Sequence, residues 1–128
     1  MVFQQSVLIV DGCPETQEVL RTALERRGLR ILAATRARRG LELARRHQPD
    51  LIVLDLEVDD SGAEDVGAPF VRESGRRHTP LIMLGTVRRH RTDPSGGEFI
   101  LKPYHFGPLI HRIEELLSAT GRASSGSA

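Results

Sequence analysis

The sequence predicts a doubly wound α/β domain: five parallel strands in the order 2-1-3-4-5, with helices on both faces of the sheet. Three observations lead there. Short aliphatic runs alternate with amphipathic segments, the pattern of successive βα units. The strongest runs are apolar without interruption, as in strands covered on both sides. The runs also end in chemistry-bearing residues, namely Asp11, Asp55, Gly85-Thr86 and Lys102. Right-handed crossovers give the strand order, and ligands in this topology bind beyond the carboxyl ends of the strands, at the switch point between strands 1 and 3.

Ser6 to Val10 is the first apolar run, broken by Asp11-Gly12-Cys13-Pro14. Pro14 suits the first turn of a helix, and Glu15 sits favourably at its positive end. Val19, Leu20, Ala23 and Leu24 recur at helical spacing, and Gly28 marks the stop. Leu29 to Ala34 reads as strand 2, and Arg38 to His47 as a helix ended by Gln48-Pro49. Asp50 to Leu56 is the strongest strand, followed by an acid-rich loop holding Glu57, Asp59 and Asp60. The third helix is interrupted by Gly67 and Pro69, which predicts a late start or a kink. Pro80 to Leu84 reads as strand 4, and Arg88 to Gly97 as a loop or short helix. Glu98 to Leu101 reads as strand 5. Leu109, Ile110, Ile113, Leu116 and Leu117 mark a final amphipathic helix. The expected organisation is one domain over residues 1–119 and a flexible Gly/Ser-rich tail over 120–128.

At 128 residues the chain can fill a single core. Aromatics make up only 4% of it and Trp is absent, so aliphatic side chains must build that core. No run approaches the length of a membrane span, and the N-terminus does not read as a signal peptide. The net charge of +1 provides no global field to recruit nucleic acid or anionic lipid. Cys13 is the only cysteine, which excludes an internal disulfide framework, fits a reducing cytoplasm, and predicts a small buried hydrophobe. Of 18 basic residues only Lys102 is lysine, marking a place where a compact ammonium is wanted rather than a planar guanidinium. Arg88, Arg89, His90 and Arg91 form a basic cluster, expected to be a solvated loop.

Four segments taken together resemble receiver domains of two-component response regulators. They are Val7 to Asp11, Pro49 to Leu56, Pro80 to Leu84, and Lys102-Pro103-Tyr104, in that family's order and at nearly its spacing. The resemblance implies a flavodoxin-like three-layer sandwich acting in phosphorelay signalling. It makes Asp55 the acceptor that attacks a phosphohistidine, Asp11 an acid of a Mg²⁺ site shared with Asp55, and Glu57 a backbone ligand of that ion. Lys102 becomes the cation on the phosphoryl oxygens, and Phe99 the aromatic that often changes rotamer on activation. The implied partners are a sensor histidine kinase or phosphotransfer protein and a downstream signalling protein, with output by protein–protein contact and no direct nucleic-acid or membrane role. Enzyme activity beyond self-catalysed phosphoryl transfer is not expected, since no Gly-rich phosphate loop follows strand 1.

Four departures from the family pattern bear on the chemistry. Gly12 stands where a second acid is usual, and Gly85 where the signalling hydroxyl usually ends strand 4, leaving Thr86 as the candidate hydroxyl. Asp59 replaces a common proline, and the stretch before Lys102 is short. On this reading Gly12→Asp should strengthen metal binding. The alternative function is a pseudo-receiver, an interaction module that uses the fold without phosphorylation.

Overall fold

A computed structural model describes residues 4–59, 65–86 and 97–126, with side chains to residue 119. Its elements are β1 (Ser6–Val10), α1 (Pro14–Glu25), β2 (Arg30–Ala34), α2 (Ala37–His47), β3 (Leu51–Asp55), α3 (Gly67–Arg77), β4 (Leu81–Gly85), β5 (Glu98–Leu101) and α4 (Phe106–Gly126). All five strands are parallel and the sheet order is β2-β1-β3-β4-β5, as the sequence predicts.

The period-two alternation of the strands sorts their side chains into two cores. Val7 and Ile9 of β1, Leu51 and Val53 of β3, and Ile82 and Leu84 of β4 face α1 and α4, meeting Leu20, Leu24, Leu109, Ile113 and Leu117. Leu8 and Val10, Ile52 and Leu54, and Leu81 and Met83 face α2 and α3, meeting Leu43, Ala44 and Phe70. Both faces of the central strands are therefore buried, which is why those runs carry no polar alternation.

The element ends follow local chemistry. Gly28 adopts φ +82 after α1, the left-handed conformation the sequence assigns to its stop. α3 begins at Gly67, which places Pro69 in the first turn, where its missing N–H removes no helical bond. Asp65 Oδ1 accepts the amides of Gly67 and Ala68 at 3.0 and 3.2 Å. Asp59, at the position of a common proline, accepts the amide of Ala37 at 3.2 Å and so caps α2. Gly97 opens β5 at φ +117, where a Cβ would stand 2.8 Å from the Leu81 carbonyl oxygen. The loop expected between Arg88 and Gly96, its basic cluster, and Asp60 of the acidic loop lie outside the described residues.

At the backbone level, residues 120–126 continue α4 as helix. A helix already nucleated by a packed amphipathic stretch propagates at low cost per residue, and that outweighs the Gly/Ser composition here.

Gly40 of α2 packs closely against β1 and α3. A Cβ there would fall 2.6 and 2.9 Å from the two methyl carbons of Val10 and 3.3 Å from the Phe70 ring. Val10 is fully buried and stiff at χ1, so it has little room to yield. Gly40→Ala is therefore expected to destabilise the domain by about 1–3 kcal/mol, although alanine favours an isolated helix by about 1 kcal/mol. Chemical denaturation checks this, and an unchanged or higher midpoint would contradict the packing.

Candidate functional site

The alternation that builds the core also assembles the site. Continued past their last apolar residues, β1, β3 and β5 place Asp11, Asp55 and Lys102 in step with Ile9, Val53 and Ile100, on the α1/α4 side. Pairing carries on past the strand ends: the Asp11 amide donates to Ala34 O at 3.0 Å, and the Lys102 amide to Gly85 O at 2.8 Å. The three side chains thus converge at the carboxyl edge, around a hollow of about 420 Å³ also lined by Cys13, Thr86 and Tyr104.

Asp11 and Asp55 are only 4% and 6% exposed, so their charges need partners. Lys102 Nζ donates to Asp55 Oδ1 at 2.7 Å, and the Glu57 amide donates to the same oxygen at 3.1 Å. Asp11 Oδ1 accepts the Cys13 amide at 2.8 Å. Burial pushes the Asp11 carboxyl up and the charge of Asp55 adds to that, against the Cys13 amide and the charge of Lys102. Burial also opposes the charged form of Lys102, but hydrogen bonds to Asp55 and Glu57 outweigh it and the ammonium is held above its ordinary value.

Glu57 does more than the sequence assigns to it. Its side chain turns back over the site: Oε1 accepts Lys102 Nζ at 2.9 Å, and Oε2 accepts the Thr86 hydroxyl at 2.5 Å. Hydrogen bonds from Thr86 and then Lys102 hold the Glu57 carboxyl below its ordinary range. Thr86 is thus brought into the cluster, with its hydroxyl directed to Glu57. Gly85, at the usual hydroxyl position, is overlain by Leu56 and Phe99, whose atoms would lie 3.2 and 3.3 Å from an added Cβ. Phe99 packs, partly buried, against the α2/α3 core.

Two expectations change. Cys13 is exposed, not buried, because it is the last residue before α1 and its side chain opens onto the hollow. Hydrogen bonding to Thr16 lowers its thiol pKa. Gly12→Asp is also not a simple gain of a metal acid. An added Cβ at Gly12 would stand 2.9 Å from the Val58 carbonyl oxygen, so the backbone after β3 would have to move.

Receiver domains typically bind Mg²⁺ in their phosphorylation site. Mg²⁺ takes octahedral oxygen ligands and keeps several waters. The described residues bring two carboxylates, Asp11 and Asp55, to that place, and one Asp55 oxygen already carries Lys102. Among the described residues no group of three or more His, Cys, Asp or Glu side chains is arranged to hold a metal. The donor set does not fit a full Mg²⁺ site. No helix among them is long and apolar enough to cross a membrane.

Fold and site define a doubly wound signalling-type domain with an acid–lysine cluster at the sheet's carboxyl edge. The chain belongs to the response regulator receiver domain family, whose model matches residues 7–114. It is 30% identical over 118 residues to the KDP operon transcriptional regulatory protein KdpE of Escherichia coli, covering 88% of this chain and 51% of that protein. It is 25% identical over 118 residues to Protein PilH of Pseudomonas aeruginosa, covering 88% and 97%. The chain spans about half the length of KdpE and of most of the other curated relatives it matches. Among solved structures, the CheY-like receiver domain protein of Methanospirillum hungatei superposes with a TM-score of 0.77 at 19% identity, over 94% of this chain and 99% of that one. The receiver domain of the TMAO respiratory response regulator TorR gives 0.74 at 20%, over 90% and 98%. These likenesses are to the fold.

The cost of ionising buried Asp11 yields a test. A carboxyl whose pKa is raised on folding subtracts stability wherever it is ionised, and that penalty fades as pH falls through its folded value. Asp11→Asn keeps an acceptor for the Cys13 amide and removes the charge. We expect a melting temperature a few degrees higher at pH 7, with the gain shrinking as pH falls toward the ordinary aspartate value of 3.8. Thermal melts across that range check it, and a pH-independent or negative change would contradict it.

Proposed function

We propose that the chain is the phosphoryl-accepting module of a two-component phosphorelay, with Asp55 as acceptor. The observation that carries this reading is the Lys102 ammonium 2.7 Å from Asp55 Oδ1 at the rim of an open hollow. Like most members of its family the module is not an enzyme in the usual sense; it supplies a nucleophile and the charge that orients it. One Asp55 oxygen attacks phosphorus and forms a P–O bond while the P–N bond of a phosphohistidine breaks. The bonding electron pair stays with the imidazole, whose other nitrogen already carries a proton. Lys102 steadies the charge on the phosphoryl oxygens, and Thr86 lines the same hollow as the candidate reporting hydroxyl. With a partial donor set, Mg²⁺ binding is weak.

On this reading the donor is a sensor histidine kinase or a phosphotransfer protein, acting in the cytoplasm. Phosphorylation adds charge beside Lys102 and shifts an existing two-state equilibrium. A downstream signalling protein reads the result through a protein–protein surface. Direct nucleic-acid contact is not part of the proposal, although KdpE is itself named a transcriptional regulatory protein.

The pseudo-receiver reading has one observation in its favour: the ammonium is already shared between Asp55 and Glu57, at 2.7 and 2.9 Å. Incubation with acetyl phosphate and Mg²⁺, followed by intact-protein mass spectrometry, separates the two. The expected outcome is a gain of one phosphoryl group that Asp55→Asn abolishes. Absence of any adduct at saturating donor, or an adduct that survives in Asp55→Asn, would overturn the acceptor assignment.

A further inference from the structure

The structure assigns Glu57 a role the sequence does not suggest: its carboxylate is a built-in anion that occupies the lysine–hydroxyl clamp of the site and must leave before a phosphoryl group can enter. The idea rests on Asp55 as acceptor only for its second half; the occupancy stands by itself. A phosphoryl group on Asp55 would present anionic oxygens within reach of a cation and a hydroxyl. Here those two donors, Lys102 Nζ and Thr86 Oγ1, are each engaged by one oxygen of the same carboxylate, at 2.9 and 2.5 Å. The contact is charge-assisted at the lysine and short at the hydroxyl, the strong end of the hydrogen-bond range.

Local geometry makes this possible. Asp55 Oδ1 accepts the Glu57 amide at 3.1 Å, and the Val58 amide donates to Asp55 O at 3.1 Å, so the chain turns tightly just after β3. The turn brings the Val58 carbonyl over Gly12, in a gap that no side chain at position 12 would leave open. Thr86 lies one residue past the usual hydroxyl position and meets the carboxylate from the β4 side. The Glu57 side chain is 43% exposed, so it can swing into solvent without opening the core.

Displacing this anion frees the clamp, so Glu57→Gln and Glu57→Ala should release Lys102 and Thr86. Two readouts test the proposal in the intact chain. Without any phosphoryl donor, NMR signals of the Thr86 methyl and the Lys102 side chain should move in Glu57→Gln and Glu57→Ala relative to wild type, because both groups lose the carboxylate they now contact. Loss of one charge-assisted contact predicts acetyl-phosphate labelling about tenfold faster in Glu57→Ala. Unmoved Thr86 and Lys102 signals would overturn the occupancy. Shifted signals with equal labelling rates in wild type and variant would overturn the gating. If signals move and neither protein is ever labelled, the acceptor role of Asp55 falls while the built-in anion stands.

Discussion

Everything at the carboxyl edge of the sheet depends on one ammonium group. Parallel strands deliver Asp11 and Asp55 to neighbouring positions, and burial would make that pair of charges costly. Lys102 offsets the cost from the next strand but one, held by its own backbone bond to Gly85. A guanidinium spreads its charge over a plane and donates in a fixed fork; the ammonium is compact enough to bond Asp55 and Glu57 from a single nitrogen. The only lysine in an otherwise arginine-based chain therefore stands where a point charge is needed.

The fold was legible because its cause is local. Unbroken apolar runs of strand length say that both faces are covered, and the residue after each run says what lies at the edge. Asp11, Asp55 and Lys102 could be placed in this way before any coordinates. Glu57 could not. Its position on an acid-rich loop predicts solvation, and only the tight turn after β3, closing over Gly12, aims it back at Lys102. Cys13 was misjudged for a related reason: composition says that cysteine is usually buried, whereas its position just before α1 turns it outward.

The glycines show a similar division. Read against the family pattern, Gly12 and Gly85 are missing functional groups. In the folded chain both spaces are taken, one by the Val58 carbonyl and the other by Leu56 and Phe99. The pocket has thus been rebuilt around its departures, with Thr86 and Glu57 bonded to each other where family members place a hydroxyl one residue earlier. Restoring a single side chain would meet backbone or packed core, so the altered groups form one unit.

That unity has a thermodynamic consequence. A switch driven by phosphorylation responds only to the difference between the contacts the phosphoryl group makes and those it replaces. Where Lys102 and Thr86 would otherwise face water, a phosphoryl group gains both contacts in full. With the Glu57 carboxylate already there, it gains only the excess of a doubly charged, tridentate anion over a singly charged, bidentate one. A smaller difference means a smaller shift in population, and a resting state whose clamp is already partly arranged as the charged state would arrange it. If Glu57 gates entry as proposed, the same carboxylate would bring the unphosphorylated domain nearer to its switched form. Phosphorylated receiver and phosphorylation-independent module then lie on one scale, set by how strongly Glu57 holds Lys102 and Thr86.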